Sequence, residues 1–450
     1  MHRYDDQADE LATAIIEYAL ARVRMDPPPL DGPQTEAELR ASVGDTIIDD
    51  GLGGLQALRL FIDKLAPATI SVDHPRFFAF VPAAPTEAAI LFDLVVGASS
   101  LFGGTWLEAS GAVYAENQAL RWLADLVGLP ASGGGVFVSG GSAGNLSGLV
   151  AARHAWRRAH PQYERVRGAI LTGIGAHSSV LATARVMDVD VITVHGDDRD
   201  RLTGPAVRDA LAENLATPIF AVVATAGATN TGLVDDLAGV AQATKARDLW
   251  LHVDGAYGGA ALAAPSARPL FTGVEHADSF VVDPHKWLFA PFDCAALLYR
   301  DVEVARQAHT QHAAYLDAIH REPEWNPSDL AYHLTRRARG LPFWFSLATH
   351  GTRRYRDAIE STLALTLDVA RMIDEWPELE LVMEPHLSVL LFRRLGWLPA
   401  DYQAWSDRVL ADGLTFTVPT TWRGETVLRF CFVNPRTTLA DVRVVLESLI

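Results

Sequence analysis

Apolar residues in the opening stretch LATAIIEYALARVR recur at helical spacing, and Asp5, Asp6, Asp9 and Glu10 stand ahead of or within its first turns. The chain is therefore expected to begin with an amphipathic helix whose acidic start complements the positive end of the helix dipole. DPPPLDGP stops that helix, and helical spacing resumes through TEAELRASV and GGLQALRLFIDKLA. Residues 1–70 have too little apolar face for a core of their own, and are expected to form a helical arm.

Beyond about residue 70 the period changes. The short apolar runs GVFVSGG, GAILTG, DVITVHG, IFAVVATAG, LWLHVDGA and SFVVDPHK end in glycine or polar residues and alternate with helix-length segments. That rhythm predicts βαβ units and a mostly parallel sheet, an α/β fold, over residues 71–340. In such sheets a ligand sits outside the carboxyl ends of the strands, so strand ends are where chemistry is sought. The apolar run AAILFDLVVGASSLFGGTWL is about long enough to span a bilayer, but Asp93 and its Gly and Ser residues interrupt it, and a buried helix and turn is expected instead. A polar, His-rich stretch at about 303–335 is longer than compact domains usually leave unstructured, and reads as a lid. Residues 341–450 combine a long helical region, the strand patterns SVLLFRRL and TVLRFCFV, and a last helix LADVRVVLESLI, which predicts a small C-terminal α/β domain.

Composition narrows the partners. The 450 residues carry a formal net charge of −17, which argues against nucleic acid or an anionic membrane surface and leaves small-molecule substrates open. Two cysteines, Cys294 and Cys431, cannot make a disulfide framework, and with no signal-peptide pattern at the start a reducing, cytoplasmic setting is expected. Lysine is rare: only Lys64, Lys245 and Lys286 occur, the basic charge being mostly arginine. Lys286 lies inside the apolar run SFVVDPHKWLFAPFDCAALLYR, where a lysine loses ammonium stability and a neutral amine becomes available to an aldehyde.

Three further features fall at predicted strand ends. VSGGSAGNLSGLVAAR reads as a strand, Gly140 and Gly141, then a helix starting near Ser142, an anion site suited to a phosphate ester; it also reads as an ordinary turn with Ser142 as N-cap. Asp254 ends LWLHVD, where a carboxylate needs a cationic partner such as a protonated ring nitrogen or else serves as a cap. His177 in GAHSSV follows another strand. Taken in order, a phosphate cradle, a His to stack on a ring, a strand-end Asp and a strand-end Lys make a layout that grips pyridoxal phosphate.

On DPHKWLFAPFDC and HVDGAYGG, the chain resembles the pyridoxal-phosphate-dependent group II amino-acid decarboxylases, which include aromatic-L-amino-acid, glutamate and histidine decarboxylases. The resemblance runs from HPRFFAFVPA to VLRFCFVNPRTT. It implies a transferase-like fold of type I, with Lys286 as the Schiff-base lysine, Asp254 at the ring nitrogen, and His177 and Ala256 on opposite ring faces. It also implies Thr225 beside the cofactor, and Ser142, Ala143 and His285 at the phosphate. Tyr315, in HAAYLD, matches the loop tyrosine that protonates Cα after CO₂ leaves, so Lys286, Tyr315 and His177 are the implied catalytic residues. Relatives with Phe there tend towards aldehydes, so Tyr315 favours an amine. Phe80, Pro82, Phe102 and Trp106 lie in segments resembling the family's side-chain pocket, which suits an aromatic or bulky apolar substrate. The pattern implies a homodimer with the arm wrapping its partner and the active site at the subunit boundary. His309, His312, His320 and His333 fit no compact ligand set, and no metal is expected.

Two positions depart from the family pattern: Asp283 stands where many members have Asn, and Gly227-Ala228-Thr229 replaces Gly-Thr-Thr. Other reactions on the same cofactor, such as aldehyde-forming decarboxylation, carbon–carbon lysis or transamination, remain open at this stage, as does a cofactor-binding protein without turnover.

Overall fold

The computed structural model describes residues 2, 4–314, 316, 319 and 326–450. Its larger sheet has seven strands: β1 Gly134–Val138, β2 Ala169–Gly173, β3 Asp190–Val194, β4 Ile219–Thr225, β5 Trp250–Asp254, β6 Ser279–Val282 and β7 Ala295–Tyr299. Their order is β1-β7-β6-β5-β4-β2-β3, with β2, β3, β4, β5 and β6 joined in parallel and β7 antiparallel to both its neighbours. The apolar runs of β2, β4, β6 and β7 are buried along their whole length, as strands covered on both faces must be. At the edge, β3 is partly exposed, in keeping with its more polar sequence.

Helices Gly141–Ala159, Ser178–Met187, Gly204–Glu213 and Leu237–Lys245 lie between the strands as the alternation predicted. The first of them packs directly against β5: a Cβ on Gly148 would stand 2.9 Å from Cε1 of His252, so only glycine allows this approach. A second, four-stranded antiparallel sheet has the order β10-β11-β9-β8, built from β8 Leu379–Leu381, β9 Val389–Arg394, β10 Thr420–Trp422 and β11 Glu425–Cys431. Helices Leu341–Asp374, Pro399–Ala411 and Leu439–Glu447 accompany it around a core that includes Phe78, Phe392, Phe430 and Phe432. The architecture is that of fold type I, an α/β fold with a mostly parallel large sheet and a smaller sheet.

Helices Asp6–Val23, Glu36–Val43 and Gly54–Leu60 form the N-terminal segment, and none of their residues is buried. Asp5 caps the first by accepting from the Ala8 amide, which explains the acidic start. The apolar run after residue 87 differs from expectation. It forms helix Glu87–Ser99, but only Ala88, Ala89 and Val96 are buried, while Leu91, Leu94 and Val95 are exposed on a face of the helix that no other described residue covers. The polar stretch after Arg300 also has more structure than a solvated loop. Val302–His309 is a helix, and His309 is buried with Nε2 3.0 Å from the Ser147 carbonyl oxygen.

Candidate active site

The carboxyl ends of β4, β5 and β6 open onto one cavity of about 350 Å³, lined by Gly140, Gly141, Ser142, His177, Thr225, Asp254, Ala256, His285 and Lys286 among others. The sheet brings these residues together from positions far apart in sequence, because Thr225 and Asp254 are the final residues of adjacent parallel strands in register with one another. Asp254 is buried; its Oδ1 accepts from the Ala256 amide at 3.1 Å and its Oδ2 from Asn145 Nδ2 at 2.8 Å. His177 is the N-cap of helix Ser178–Met187, its Nδ1 accepting from the Ser179 amide, and it also borders the cavity. One imidazole thus both caps a helix and lines the cavity.

Past β6 the chain turns sharply, the Lys286 amide donating to the Asp283 carbonyl at 2.9 Å. Trp287, Leu288 and Phe289 then bury themselves. Trp287 stacks on Tyr257 at 5.4 Å and donates from its indole to Thr362, and this anchor leaves the preceding lysine facing the cavity. Lys286 Nζ sits 2.9 Å from Asp283 Oδ2. Burial pulls the Lys286 ammonium down, but attraction and hydrogen bonding from Asp283, with help from Asp254, outweigh it and leave the pKa raised. The apolar surround alone predicted the opposite direction.

Asp283 is almost wholly buried. Its Oδ2 also accepts from the Gly141 amide at 3.2 Å and lies 3.7 Å from His285 Nε2, while its Oδ1 is buried with no hydrogen-bond partner among the described residues. His285 Nδ1 accepts from the Cys294 amide at 3.1 Å, and burial is the main reason its pKa is lowered. At Gly141 an added Cβ would stand 2.9 Å from Ala256 Cβ and 3.1 Å from Asp283 Oδ2, so the strand-to-helix turn keeps its room by having no side chain there.

Several expectations need correction. The helix starts at Gly141 with Gly140 as N-cap, so Ser142 lies inside its first turn and does not cap it; its side chain is exposed at the cavity rim. Ala143 packs instead against the apolar cluster that includes Val136 and Val281 and does not line the cavity, because successive helix positions turn away by about 100°. None of Phe80, Pro82, Phe102 and Trp106 lines it either. Phe80 is exposed, with its ring 6.0 Å from that of Phe416; Pro82 is buried; Phe102 bridges to Arg337; and the Trp106 amide donates to Asn326 Oδ1. Tyr315 and His320 lie outside the described residues. Asn145, Ser179 and Tyr257 border the cavity without having been singled out from the sequence. Asn145 was within reach, standing one helical turn after Gly141.

This set of groups fits pyridoxal phosphate: an amine for the aldehyde, a carboxylate for the ring nitrogen, an imidazole for a ring face, and a helix N-terminus beside a turn that has no Cβ at Gly141 for the phosphate. Comparison with known proteins agrees. The pyridoxal-dependent decarboxylase conserved domain matches residues 58–395. Aromatic-L-amino-acid decarboxylase of Bacillus atrophaeus is 28% identical over 421 residues, 90% of this chain and 86% of that protein. L-2,4-diaminobutyrate decarboxylase of Acinetobacter baumannii is 27% identical over 379 residues, 79% and 74% of the two chains. The crystal structure of Oryza sativa TDC with PLP and tryptamine has a TM-score of 0.89 at 25% identity, covering 98% of this chain and 96% of that one. With its cavity built at the strand ends and its similarity spanning most of its length, the chain belongs to the pyridoxal-dependent decarboxylase family and is a pyridoxal-phosphate-dependent amino-acid decarboxylase.

Proposed function

We propose that the substrate is an aromatic or bulky apolar L-amino acid, converted to its amine and CO₂. The observation that carries this reading is the cavity lining. Among the described residues no arginine borders the cavity, and its one lysine is Lys286, so a substrate with an acidic side chain meets no spare cation. Phe292, which does border it, is exposed and offers an apolar surface at the mouth.

Bound pyridoxal phosphate supplies an electron-withdrawing ring that takes up the electron pair left when CO₂ departs. In this reading Lys286 would hold the coenzyme through its aldehyde, Asp254 would keep the ring nitrogen protonated, and His177 and Ala256 would hold the two ring faces, with Thr225 alongside. The first turn of helix Gly141–Ala159, with Ser142 and His285, holds the phosphate. Tyr315 delivers a proton to the substrate's Cα. A second copy of the chain covers the exposed Leu91, Leu94, Val95 and Leu107 and the unburied N-terminal helices. That homodimer brings Phe80, Phe102 and Trp106 to a cavity they do not reach within their own protomer. Both cysteines are buried and unpaired, which suits the cytoplasm.

A panel of amino acids scored for CO₂, amine, aldehyde and peroxide tests the reading. Release of CO₂ and amine from aromatic substrates supports it, whereas turnover of glutamate or 2,4-diaminobutyrate alone overturns the substrate assignment. Tyr315→Phe is expected to lower the amine yield at least tenfold and divert product to aldehyde, since positioned proton transfer contributes about 10²–10⁴-fold. An unchanged amine yield removes Tyr315 from the role.

A further inference from the structure

A connected set of hydrogen bonds runs from the cavity wall into the sheet through Asn145, Ser179, His252 and Ser279. Asn145, His252 and Ser279 are fully buried or nearly so. Asn145 Nδ2 donates to Asp254 Oδ2 at 2.8 Å and to Ser179 Oγ at 2.9 Å, while its Oδ1 lies 2.9 Å from His252 Nε2. His252 Nδ1 is 2.7 Å from Ser279 Oγ, which accepts from the Trp250 indole at 2.8 Å. Ser179 Oγ is 2.9 Å from His177 Nδ1.

The direction of each bond follows from what each group is able to donate. A carboxylate only accepts, so the Asn145 amide must turn its NH₂ to Asp254 and its oxygen to His252. An amide oxygen only accepts, so the proton of His252 is on Nε2. Burial lowers the His252 pKa to about 4, so the ring carries that proton alone, and Nδ1 must accept from the Ser279 hydroxyl. On the other branch, His177 Nδ1 already accepts from the Ser179 amide at 3.2 Å and carries no proton. The Ser179 hydroxyl, which accepts from Asn145, therefore donates to that same Nδ1, and His177 keeps its N–H on Nε2. One amide is thereby connected to both groups that face a bound ring: the carboxylate at its nitrogen and the imidazole at its face.

We propose that Asn145, oriented by His252, is a positioning residue that fixes the Asp254 carboxylate and the Nε2–H tautomer of His177 as a single unit. This deepens, and rests on, the reading of the cavity as the coenzyme site. A network satisfied at every member holds its geometry more firmly than separate pairs do, and a site organised in this way does not have to reorder when the ring arrives.

The test uses full-length protein labelled with ¹⁵N-histidine, with and without pyridoxal phosphate, and long-range ¹H–¹⁵N spectra that separate the two imidazole tautomers. Wild type is expected to show Nε2–H for both His177 and His252. His252→Leu and Asn145→Leu are expected to release His177 into a tautomer mixture and to weaken coenzyme binding about tenfold or more, the scale of a lost hydrogen bond to a charged group. His252→Gln, whose amide places a donor near the position of Nε2, is expected to restore the His177 tautomer and coenzyme binding to within about threefold. An Nδ1–H signal from either histidine in wild type overturns the proposal even if the leucine variants fail to fold. So does an unchanged His177 tautomer in folded His252→Leu. Failure of the wild type to bind coenzyme at all overturns the cavity's assignment instead, and the tautomers of the free protein still report on the network.

Discussion

Replacing Asp283 with Asn should make the coenzyme-free protein capture pyridoxal phosphate faster. The substitution keeps the side chain's shape and leaves an oxygen for the Gly141 amide, but removes the charge 2.9 Å from Lys286 Nζ. In the free protein Asp283 stabilises the ammonium form, whereas bonding to an aldehyde requires the neutral amine. A hydrogen bond to a charged group contributes about 1.5–3 kcal/mol, against about 0.5–1.5 kcal/mol for a neutral one. The ammonium thus loses roughly 1–2 kcal/mol, which corresponds to about 5- to 30-fold more neutral amine at a given pH. Relief of repulsion between the carboxylate and an incoming phosphate acts in the same direction.

Stopped-flow mixing of stripped protein with pyridoxal phosphate, following growth of the visible absorbance band from pH 6.5 to 9, measures this directly. Wild-type capture should accelerate as pH rises. Asp283→Asn should be about 5- to 30-fold faster near pH 7, with the gap nearly constant across this window, because the wild-type ammonium, held above the ordinary lysine value, persists throughout it. Inorganic phosphate should also bind the variant more tightly by calorimetry. Equal rates with equal pH dependence would show that Asp283 does not govern the amine. A slower variant would refute the reasoning outright, because it would mean that the carboxylate removes the proton from Lys286 rather than holding it there.

Three other outcomes follow from the same geometry. Glu116 and Arg336 form a buried bidentate pair at 2.8 Å, and Glu116 also accepts from the Gly340 amide at 2.7 Å, so Glu116→Gln leaves a buried guanidinium uncompensated. It is expected to cost about 3–5 kcal/mol in urea unfolding, and a loss below about 1 kcal/mol would contradict the pairing. Burial holds His252 at about 4, below its unfolded value, so between about pH 6.5 and 4 the unfolded chain binds more protons and the stability His252 supports falls as pH falls. The loss amounts to about 3 kcal/mol across that window; His252→Gln should flatten the urea midpoint against pH there, and parallel curves would exclude the effect. Gly141→Ala, whose methyl would stand 2.9 Å from Ala256 Cβ, should weaken coenzyme binding about tenfold or more while shifting the melting temperature by only a few degrees. Unchanged binding would show that the turn does not face the phosphate.

Much of this site could be read from the sequence because a parallel sheet turns a one-dimensional pattern into a place. Once LWLHVD and SFVVDPHK are taken as adjacent strands, their last polar residues must share an end, and Asp254 and Lys286 do line one cavity. Helix starts were less legible. Ser142 is a common capping residue, but the helix begins one residue earlier, with Gly140 ahead of it and no side-chain cap. The four aromatic and proline positions resembled a substrate wall, yet none of them lines the cavity within the protomer.

Asn145 and Asp283 show the same boundary from the other side. Asn145 in SAGNL stands one helical turn after Gly141, but its contact with His252 depends on the close approach that Gly148 allows between its helix and β5. Asp283 was conspicuous as a departure from a pattern, but its effect on Lys286 depends on a turn that folds a residue three positions away back to 2.9 Å. A local apolar composition predicts a depressed lysine, and one carboxylate delivered by the backbone reverses the direction. Sequence therefore locates Lys286 through the strand that ends beside it, while the direction of its pKa shift comes from contacts that exist only after the chain has turned. In this chain the residue three before the lysine deserves the same mutational scrutiny as the lysine, because the Asp283 carboxylate 2.9 Å away favours the ammonium over the amine.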